Sequence, residues 1–164
     1  MASNALHAAR PAPASLARLL ALGVPASLLI GAYLSQYVGG LHPCEMCYWQ
    51  RWPHFAAVAL AALAFFSAAT SRNARLLTAL AAVAIAISGA IGVFHAGVEY
   101  GWWEGLTRCS GGGAMTLEEI MNVPLVRCDE VQFSFLNVSM AGWNAIISLG
   151  SAALVAVLLK RAAA

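Results

Sequence analysis

Four cysteines are the residues of this 164-residue chain whose type and spacing favour chemistry. Cys44 and Cys47 form a C-x-x-C motif, whereas Cys109 and Cys128 bracket a polar segment. A disulfide across C-x-x-C closes so small a ring that it adds little loop entropy to stability. The spacing suits reversible redox chemistry instead, because one thiol attacks a disulfide and its neighbour resolves the mixed disulfide.

A structural role is the alternative for the second pair. A disulfide between Cys109 and Cys128 would close a loop of about 20 residues and add roughly 3 kcal/mol of stability through the entropy of the unfolded chain. Four cysteines allow three pairings, and a bond between Cys44 and Cys128 would join the two pairs during turnover.

The elements that position these thiols are predicted to be membrane-spanning helices. Hydrophobic residues make up 61% of the chain and charged residues 10%, which excludes an ordinary soluble domain. Four uncharged stretches each have about the 20 residues that a spanning helix needs. They run over residues 19–37, 52–69, 76–94 and 140–159, which leaves outer loops at 38–51 and 95–139. The predicted fold is an all-α, four-helix transmembrane bundle in one domain, residues 1–164.

A cleaved secretory signal is the alternative for the first stretch, since basic residues precede it. The stretch is longer than the apolar core of such signals, and no small-x-small cleavage site follows it. We therefore expect the first stretch to be a helix of the bundle.

Basic residues orient the bundle. Six of the nine lie at the two termini or between the second and third stretches, places that share one side if four helices alternate. These are Arg10, Arg18, Arg72, Arg75, Lys160 and Arg161. The positive-inside rule makes that side cytoplasmic and predicts that both termini lie inside. All four cysteines then face the other side, which in a bacterial inner membrane is the oxidising periplasm. Two dithiols on one face predict an exchange relay.

The neighbours of the C-x-x-C motif suggest how its thiols are activated. Pro43 suits the first position of a helix, which would place both thiols in a first turn, where backbone N–H groups favour a thiolate. Arg51 follows Cys47 by one helical turn, so its guanidinium could stabilise that thiolate or donate to a carbonyl oxygen. An interfacial anchor that snorkels among aromatic residues is an equal alternative for Arg51. Pro53 leaves two options open, a helix that begins near Trp52 or one that kinks there.

Zinc is the competing chemistry. His42, Cys44, Cys47 and His54 have the right ligand types. A second knuckle is absent, however, because 18 residues separate the loop cysteines where zinc motifs have two or so. The sequence therefore predicts no metal site.

The order of elements resembles a known family. A helix, a C-x-x-C motif, a second helix, a short basic loop, a third helix, paired loop cysteines and a fourth helix are the layout of the DsbB-type disulfide-bond formation proteins. The resemblance extends to Met140-Ala141-Gly142-Trp143-Asn144. It implies a membrane thiol:quinone oxidoreductase that re-oxidises DsbA, a periplasmic thioredoxin-fold dithiol oxidase, and reduces a membrane quinone, either ubiquinone or menaquinone.

The resemblance also implies residue roles. Cys109 would form the mixed disulfide with the partner, and Cys128 would resolve it. Cys44 and Cys47 would be the quinone-coupled pair, with Cys47 facing the quinone.

Two further residues match the quinone site of that family. Arg51 would lie beside the quinone, and His95 would line its site. By position alone, His95 is equally well explained as a packing residue near a helix end.

Three alternative functions remain at this stage, and one of them is a metal-binding membrane protein. A vitamin K epoxide reductase-like enzyme also combines four helices, quinone chemistry and two cysteine pairs, but there the loop cysteines precede the C-x-x-C motif. In this chain Cys44 and Cys47 come first. The third alternative is a non-catalytic membrane protein whose disulfides stabilise outer loops.

Overall fold

Four long helices dominate the part of the chain that the computed structural model describes, residues 12–106 and 126–163. They are α1 (Pro13–Tyr37), α2 (Glu45–Ala64), α3 (Arg72–Glu99) and α4 (Met140–Ala163). Two short strands, β1 (Ser134–Phe135) and β2 (Val138–Ser139), pair antiparallel directly before α4. The predicted helical membrane bundle is confirmed. Cys109 lies outside the described residues, so its role stays a prediction.

Three of these helices, α1, α3 and α4, are long and apolar enough to cross a membrane by length and composition. The fourth, α2, has 20 residues and carries Gln50, Arg51 and His54 in its first half. All three side chains are buried, so they face the other helices rather than lipid. A polar residue inside a bundle is compatible with a membrane when protein groups satisfy it.

The bounds of α2 differ from the predicted stretch 52–69. The helix begins at Glu45, continues through Pro53 and ends at Ala64. Cys44 is the N-cap, and its sulfur accepts a hydrogen bond from the backbone N–H of Cys47. Pro43 therefore precedes the cap and does not occupy the first helical position. Hydropathy located only the apolar part of the helix, because the cap and the polar first turns that follow it carry no apolar signal.

The outer loops are shorter than predicted, because α2 and α3 extend into them. Residues 45–51 belong to α2, and residues 95–99 belong to α3, where Ala96, Gly97 and Val98 continue the helix beyond Phe94. His95 consequently lies inside a helix and not in the outer loop predicted for 95–139. The helix ends before Gly101, whose φ of 70° is in the left-handed region that glycine tolerates.

The other two helices agree better with the prediction. α1 ends at Tyr37 and α4 begins at Met140, as expected, although α1 begins earlier, at Pro13, and α4 continues to Ala163. Arg18 on α1 donates to the carbonyl oxygens of Ala64 (3.0 Å) and Ser67 (2.9 Å). These two bonds satisfy carbonyl groups at the carboxyl end of α2 and attach it to α1.

Small residues form the core between the helices. α3 lies against both α2 and α4, and the buried cluster is mostly alanine, joined by Ile85, Val155 and Leu158. A Cβ atom added at Gly92 of α3 would lie 3.0 Å from the backbone oxygen of Ala141 and the backbone nitrogen of Ala145. The two backbones thus approach closely, as small residues permit in membrane bundles.

Substituting Gly92→Val tests this contact. The added side chain must push α4 away from α3, so we expect a loss of about 1–3 kcal/mol of stability, the usual range for overpacking. The measurement is unfolding of the detergent-solubilised protein. Gly150→Val is the matched control, because a Cβ at Gly150 meets no atom of residues 12–106 or 126–163 within 4 Å. Equal losses in both variants would contradict close packing at Gly92.

Candidate functional site

The C-x-x-C motif lies at the amino end of α2, with Cys44 capping the helix. Cys44 is 2% exposed, and the Sγ atoms of Cys44 and Cys47 are 2.9 Å apart. The Cys47 N–H donates to Cys44 Sγ over 3.3 Å. The hydrogen bond to Cys47 and burial raise the pKa of the Cys44 thiol above its usual range. Cys44 is therefore the proton-holding member of the reduced pair.

Cys128 lies beside this motif, although 80 residues of sequence follow Cys47 before it. It is 8% exposed and belongs to a buried cluster with Cys44, Met46 and Val98. Its sulfur, the Cys44 sulfur and a ring nitrogen of His95 all lie within 4.8 Å of one another. The structure thus brings one loop cysteine into contact range of the C-x-x-C pair.

Charged residues flank Cys128 at the surface. Arg127 forms ion pairs with Asp129 and Glu130. The hydrogen bonds from Arg127 hold the pKa of Asp129 below its usual range. The buried thiol is therefore adjacent to an exposed cluster of ion-paired residues.

His95 connects the thiols to the interior of the bundle. Its side chain is 2% exposed, and Nδ1 lies 2.8 Å from the amide nitrogen of Gln50. An amide N–H can only donate, so Nδ1 accepts and the ring proton is on Nε2. Nε2 lies 3.5 Å from Cys44 Sγ and 3.8 Å from an oxygen of Glu99. The ring therefore presents its proton to the thiol and carboxylate side of the site.

Glu99 is a buried carboxylate one turn beyond His95. Its side chain is 7% exposed, and its second oxygen, Oε2, is buried without a hydrogen-bond partner among the described residues. α3 continues to Glu99 and turns this carboxylate inward, so it does not lie on a solvated face. An ionisable group in such a position favours a functional role.

Arg51 is buried beneath the motif. It is 8% exposed; Nη1 donates to Gln36 Oε1 over 2.7 Å, and its guanidinium lies over the rings of Tyr33 and Tyr48. Within residues 12–106 and 126–163 it forms no ion pair with a carboxylate. A snorkelling anchor would expose its head group to water, so this geometry favours the site role over the anchor role.

These side chains surround a cavity of about 310 Å³. Its wall includes Cys44, Cys47, Arg51, His95, Glu99, His54 and Asn144. The α1 residue Leu29 also lines a second, apolar groove of about 480 Å³ between α1 and α2, together with Tyr33 and Phe55. A polar-headed molecule with an apolar tail matches this pair of spaces in size and polarity.

A buried polar network was not predicted from the sequence. Asn144 Nδ2 donates to Gln50 Oε1 (2.8 Å), and Asn144 Oδ1 lies 2.9 Å from His54 Nε2. Ser88 Oγ donates to the Gln50 backbone oxygen (2.8 Å), and Ser148 Oγ donates to Asn144 Oδ1 (3.0 Å). The sequence did contain a signal, since the polar residues recur at a spacing of four on α2 and again on α4.

The fold and the site define a helical membrane protein with cysteines collected beside one cavity. A family model described as "Disulfide bond formation protein DsbB" matches residues 14–158. A protein named Disulfide bond formation protein B, from Polaromonas naphthalenivorans (strain CJ2), is 33% identical over 165 residues, covering 92% of this chain and 95% of that relative. The chain belongs to the DsbB family of disulfide-bond formation proteins. No solved structure matches it significantly.

This membership confirms the resemblance expected from the order of elements. It favours DsbB over the vitamin K epoxide reductase-like alternative. It also supports a redox role in disulfide formation, because that is what the family name states.

Asn144→Leu tests the polar network. The variant removes the donor to Gln50 Oε1 and one of the partners of His54 Nε2, which keeps Ser88 Oγ at 2.9 Å. We therefore expect a loss of about 1 kcal/mol of stability, typical of interhelical hydrogen bonds in membranes. The measurement is thermal unfolding in detergent. Ser151→Ala is the control, since the hydrogen bond that Ser151 Oγ makes within the described residues is to a carbonyl of its own helix. A variant as stable as the control would show that the network is not structural.

Proposed function

We propose that this protein is a membrane thiol:quinone oxidoreductase that re-oxidises a DsbA-like periplasmic dithiol oxidase. Electrons pass from the partner through Cys109 and Cys128 to Cys44 and Cys47, and then to a membrane quinone. The observation that carries the proposal is the convergence of Cys44, Cys47, a buried arginine and a buried histidine on one cavity, with the Cys128 sulfur within 4.8 Å of Cys44 Sγ. A non-catalytic protein with structural disulfides has no need of that convergence.

The first exchange takes place at the loop disulfide. A partner thiolate attacks Cys109 of the Cys109–Cys128 bond, and Cys128 leaves as a thiolate. The second partner thiol, and not Cys128 as the resemblance implied, then attacks the mixed disulfide, because attack by Cys128 would return the partner in its reduced form. The partner thus leaves oxidised and Cys109 leaves reduced. The burial of Cys128 supports Cys109 as the point of entry, because a protein thiol cannot reach an 8% exposed sulfur.

The second exchange joins the two pairs. Cys128 attacks Cys44 of the Cys44–Cys47 bond, and Cys47 is released as the leaving thiolate. Cys109 then attacks Cys128, which restores the loop disulfide and releases Cys44. The short distance between the Cys44 and Cys128 sulfurs, within 4.8 Å, supports this route. The raised pKa of Cys44 also supports it, because Cys44 takes up the proton and leaves the negative charge on Cys47.

The residues around the cavity fit a quinone head group. Such a group needs hydrogen-bond donors for its carbonyl oxygens, and bound quinone accepts two electrons and two protons. Arg51 offers a buried, permanently charged donor without an ion-pair partner among the described residues. His95 holds a proton on Nε2 at the same wall, and Cys47 holds the electrons. The apolar groove beside Leu29 suits a lipid-soluble tail.

The orientation belongs to the same proposal. We place the protein in a bacterial inner membrane with both termini in the cytoplasm and the cysteines facing the periplasm. Arg18, Arg72 and Lys160 lie at helix ends opposite to the motif end of α2, which supports this topology.

Cys47→Ser provides the main test. We expect it to abolish quinone-dependent oxidation of reduced partner in membranes supplied with a defined quinone, because Cys44 alone cannot deliver two electrons. Disulfide mapping should follow the same samples, and Ser151→Ala serves as the control. Sustained turnover by Cys47→Ser would refute the assignment, as would cysteine pairs in the wild type that respond to neither quinol nor reduced partner.

Arg51→Gln tests the quinone contact. Losing a charge-assisted hydrogen bond of about 1.5–3 kcal/mol should raise the apparent KM for quinone roughly 10- to 100-fold and leave the KM for the partner unchanged. Arg51→Lys, which keeps the charge without the planar fork, should have a smaller effect. Steady-state kinetics with each substrate varied separately measures both constants. An unchanged KM for quinone would indicate that Arg51 is an anchor.

A further inference from the structure

The cluster formed by Cys44, Cys128 and His95 has the geometry of a metal site. The separation of Cys44 Sγ and His95 Nε2 is 3.5 Å. A tetrahedral zinc ion with Zn–S of about 2.3 Å and Zn–N of about 2.0 Å places sulfur and nitrogen about 3.5 Å apart. All three ligand atoms lie within 4.8 Å of one another, and all three residues are buried. We propose that the reduced protein binds Zn²⁺ here.

Glu99 can supply the fourth ligand if its carboxylate moves toward the metal. Its Oε1 lies outside the cluster of three and is 3.8 Å from His95 Nε2, longer than the roughly 3.4 Å between nitrogen and oxygen ligands on a tetrahedral zinc ion. Its Oε2 is buried and has no hydrogen-bond partner in the described parts of the chain. A buried carboxylate oxygen without a partner is costly, and coordination to a cation removes that cost. Two thiolates, one imidazole and one carboxylate complete a tetrahedral set.

Cys47 stays outside this set. Its sulfur is 2.9 Å from Cys44 Sγ, whereas two sulfurs on a tetrahedral zinc ion lie about 3.7 Å apart. The histidines suggested by the sequence, His42 and His54, also line the cavity but are not part of the cluster. This site differs from the set of His42, Cys44, Cys47 and His54 that was considered from the sequence. Cys128 and His95 are distant from Cys44 in the sequence, and only the fold brings them together.

Gln50 can support the histidine in its metal-bound form. Ligation through Nε2 requires that the ring proton moves to Nδ1. Gln50 contacts Nδ1 at 2.8 Å and can accept from an Nδ1–H once its amide turns over, a change that also gives up the hydrogen bond from Asn144 Nδ2 to Gln50 Oε1. Such a partner fixes the ring orientation, as is usual for zinc-bound histidines.

The site exists only when the two cysteines are reduced. Binding converts the Cys44 and Cys128 thiols into zinc-bound thiolates and releases their two protons to water, without any transfer of electrons. A disulfide sulfur is not a comparable ligand. Zinc therefore holds both sulfurs that the relay uses for exchange between the pairs. This last consequence rests on the proposed function, whereas the site itself rests on the geometry.

Cobalt titration of the full chain tests the site. Co²⁺ is added under anaerobic conditions to detergent-solubilised protein whose reductant has been removed. We expect one Co²⁺ per reduced chain, tetrahedral visible absorption and a sulfur-to-cobalt band, all displaced by Zn²⁺. Zinc binding should release about two protons per metal. Protein oxidised beforehand should show none of these signals. Absence of the band in reduced protein, or an equal band in oxidised protein, would overturn the proposal.

Paired variants identify the ligands. His95→Ala and Cys128→Ser should weaken Zn²⁺ binding by about tenfold or more, since even the loss of a residue that only supports a ligand costs this much. Glu99→Gln should weaken binding but keep the sulfur-to-cobalt band. The controls are His54→Ala for the histidine and Cys109→Ser for the cysteine, and both should retain binding. Equal losses in a variant and its control would show that the ligand set is wrong. The wild-type comparison of reduced and oxidised protein decides the matter if a variant does not fold.

The metal-binding proposal and the proposed function can be refuted independently of each other. If the relay operates, Zn²⁺ should inhibit partner oxidation by wild-type protein, and a chelator should restore it. If the relay does not operate, the cobalt signals persist without any partner oxidation to inhibit. Partner oxidation that is unaffected at zinc concentrations that saturate the site would overturn the claim that the metal withholds Cys44 and Cys128 from exchange.

Discussion

The side chain of Gln50 is the interaction on which the rest of this site depends. Its amide nitrogen donates to the Met46 backbone oxygen and to His95 Nδ1, and its oxygen accepts from Asn144. One side chain thereby connects α2 to α3 and α4 at the level of the cavity. In a lipid environment, each of these polar groups would be costly without its partner, so the three helices hold one another in register. The imidazole that faces the thiols is oriented by this register.

The capping of α2 explains how the two thiols differ. Cys44 occupies the position where a serine or aspartate usually accepts from the third residue of a helix, and here the sulfur accepts from the Cys47 N–H. This contact places Cys44 inward against His95 and Cys128, while Cys47 follows one turn later on the face that also carries Arg51. Two chemically identical side chains thus differ in their surroundings. Both line the cavity, but Cys44 is the buried one, beside His95 and Cys128.

The sequence predicted the composition of the bundle better than the geometry of its site. Hydropathy located four helices because lipid requires long apolar stretches, and the end of α1 and the start of α4 were correct. It placed the start of α2 too late, since capping by a cysteine has no hydropathic signature. The cysteines, Arg51 and His95 could be named from spacing and family resemblance. The inward position of Glu99 could not be predicted, because it depends on where α3 ends. The contact of Cys128 with Cys44 could not be predicted either, because it depends on how a distant loop packs.

The low exposure of Cys44 and Cys128 has a consequence for selectivity. A dissolved thiol of small size needs access along the axis of the disulfide that it attacks, and exposures of 2% and 8% deny that access at both sulfurs. Burial therefore shields these two sulfurs from direct attack by small thiols in solution. If the protein acts as proposed, this shielding keeps a membrane oxidant and the dissolved thiols from exchanging electrons at Cys44 and Cys128, even where that exchange is thermodynamically favourable.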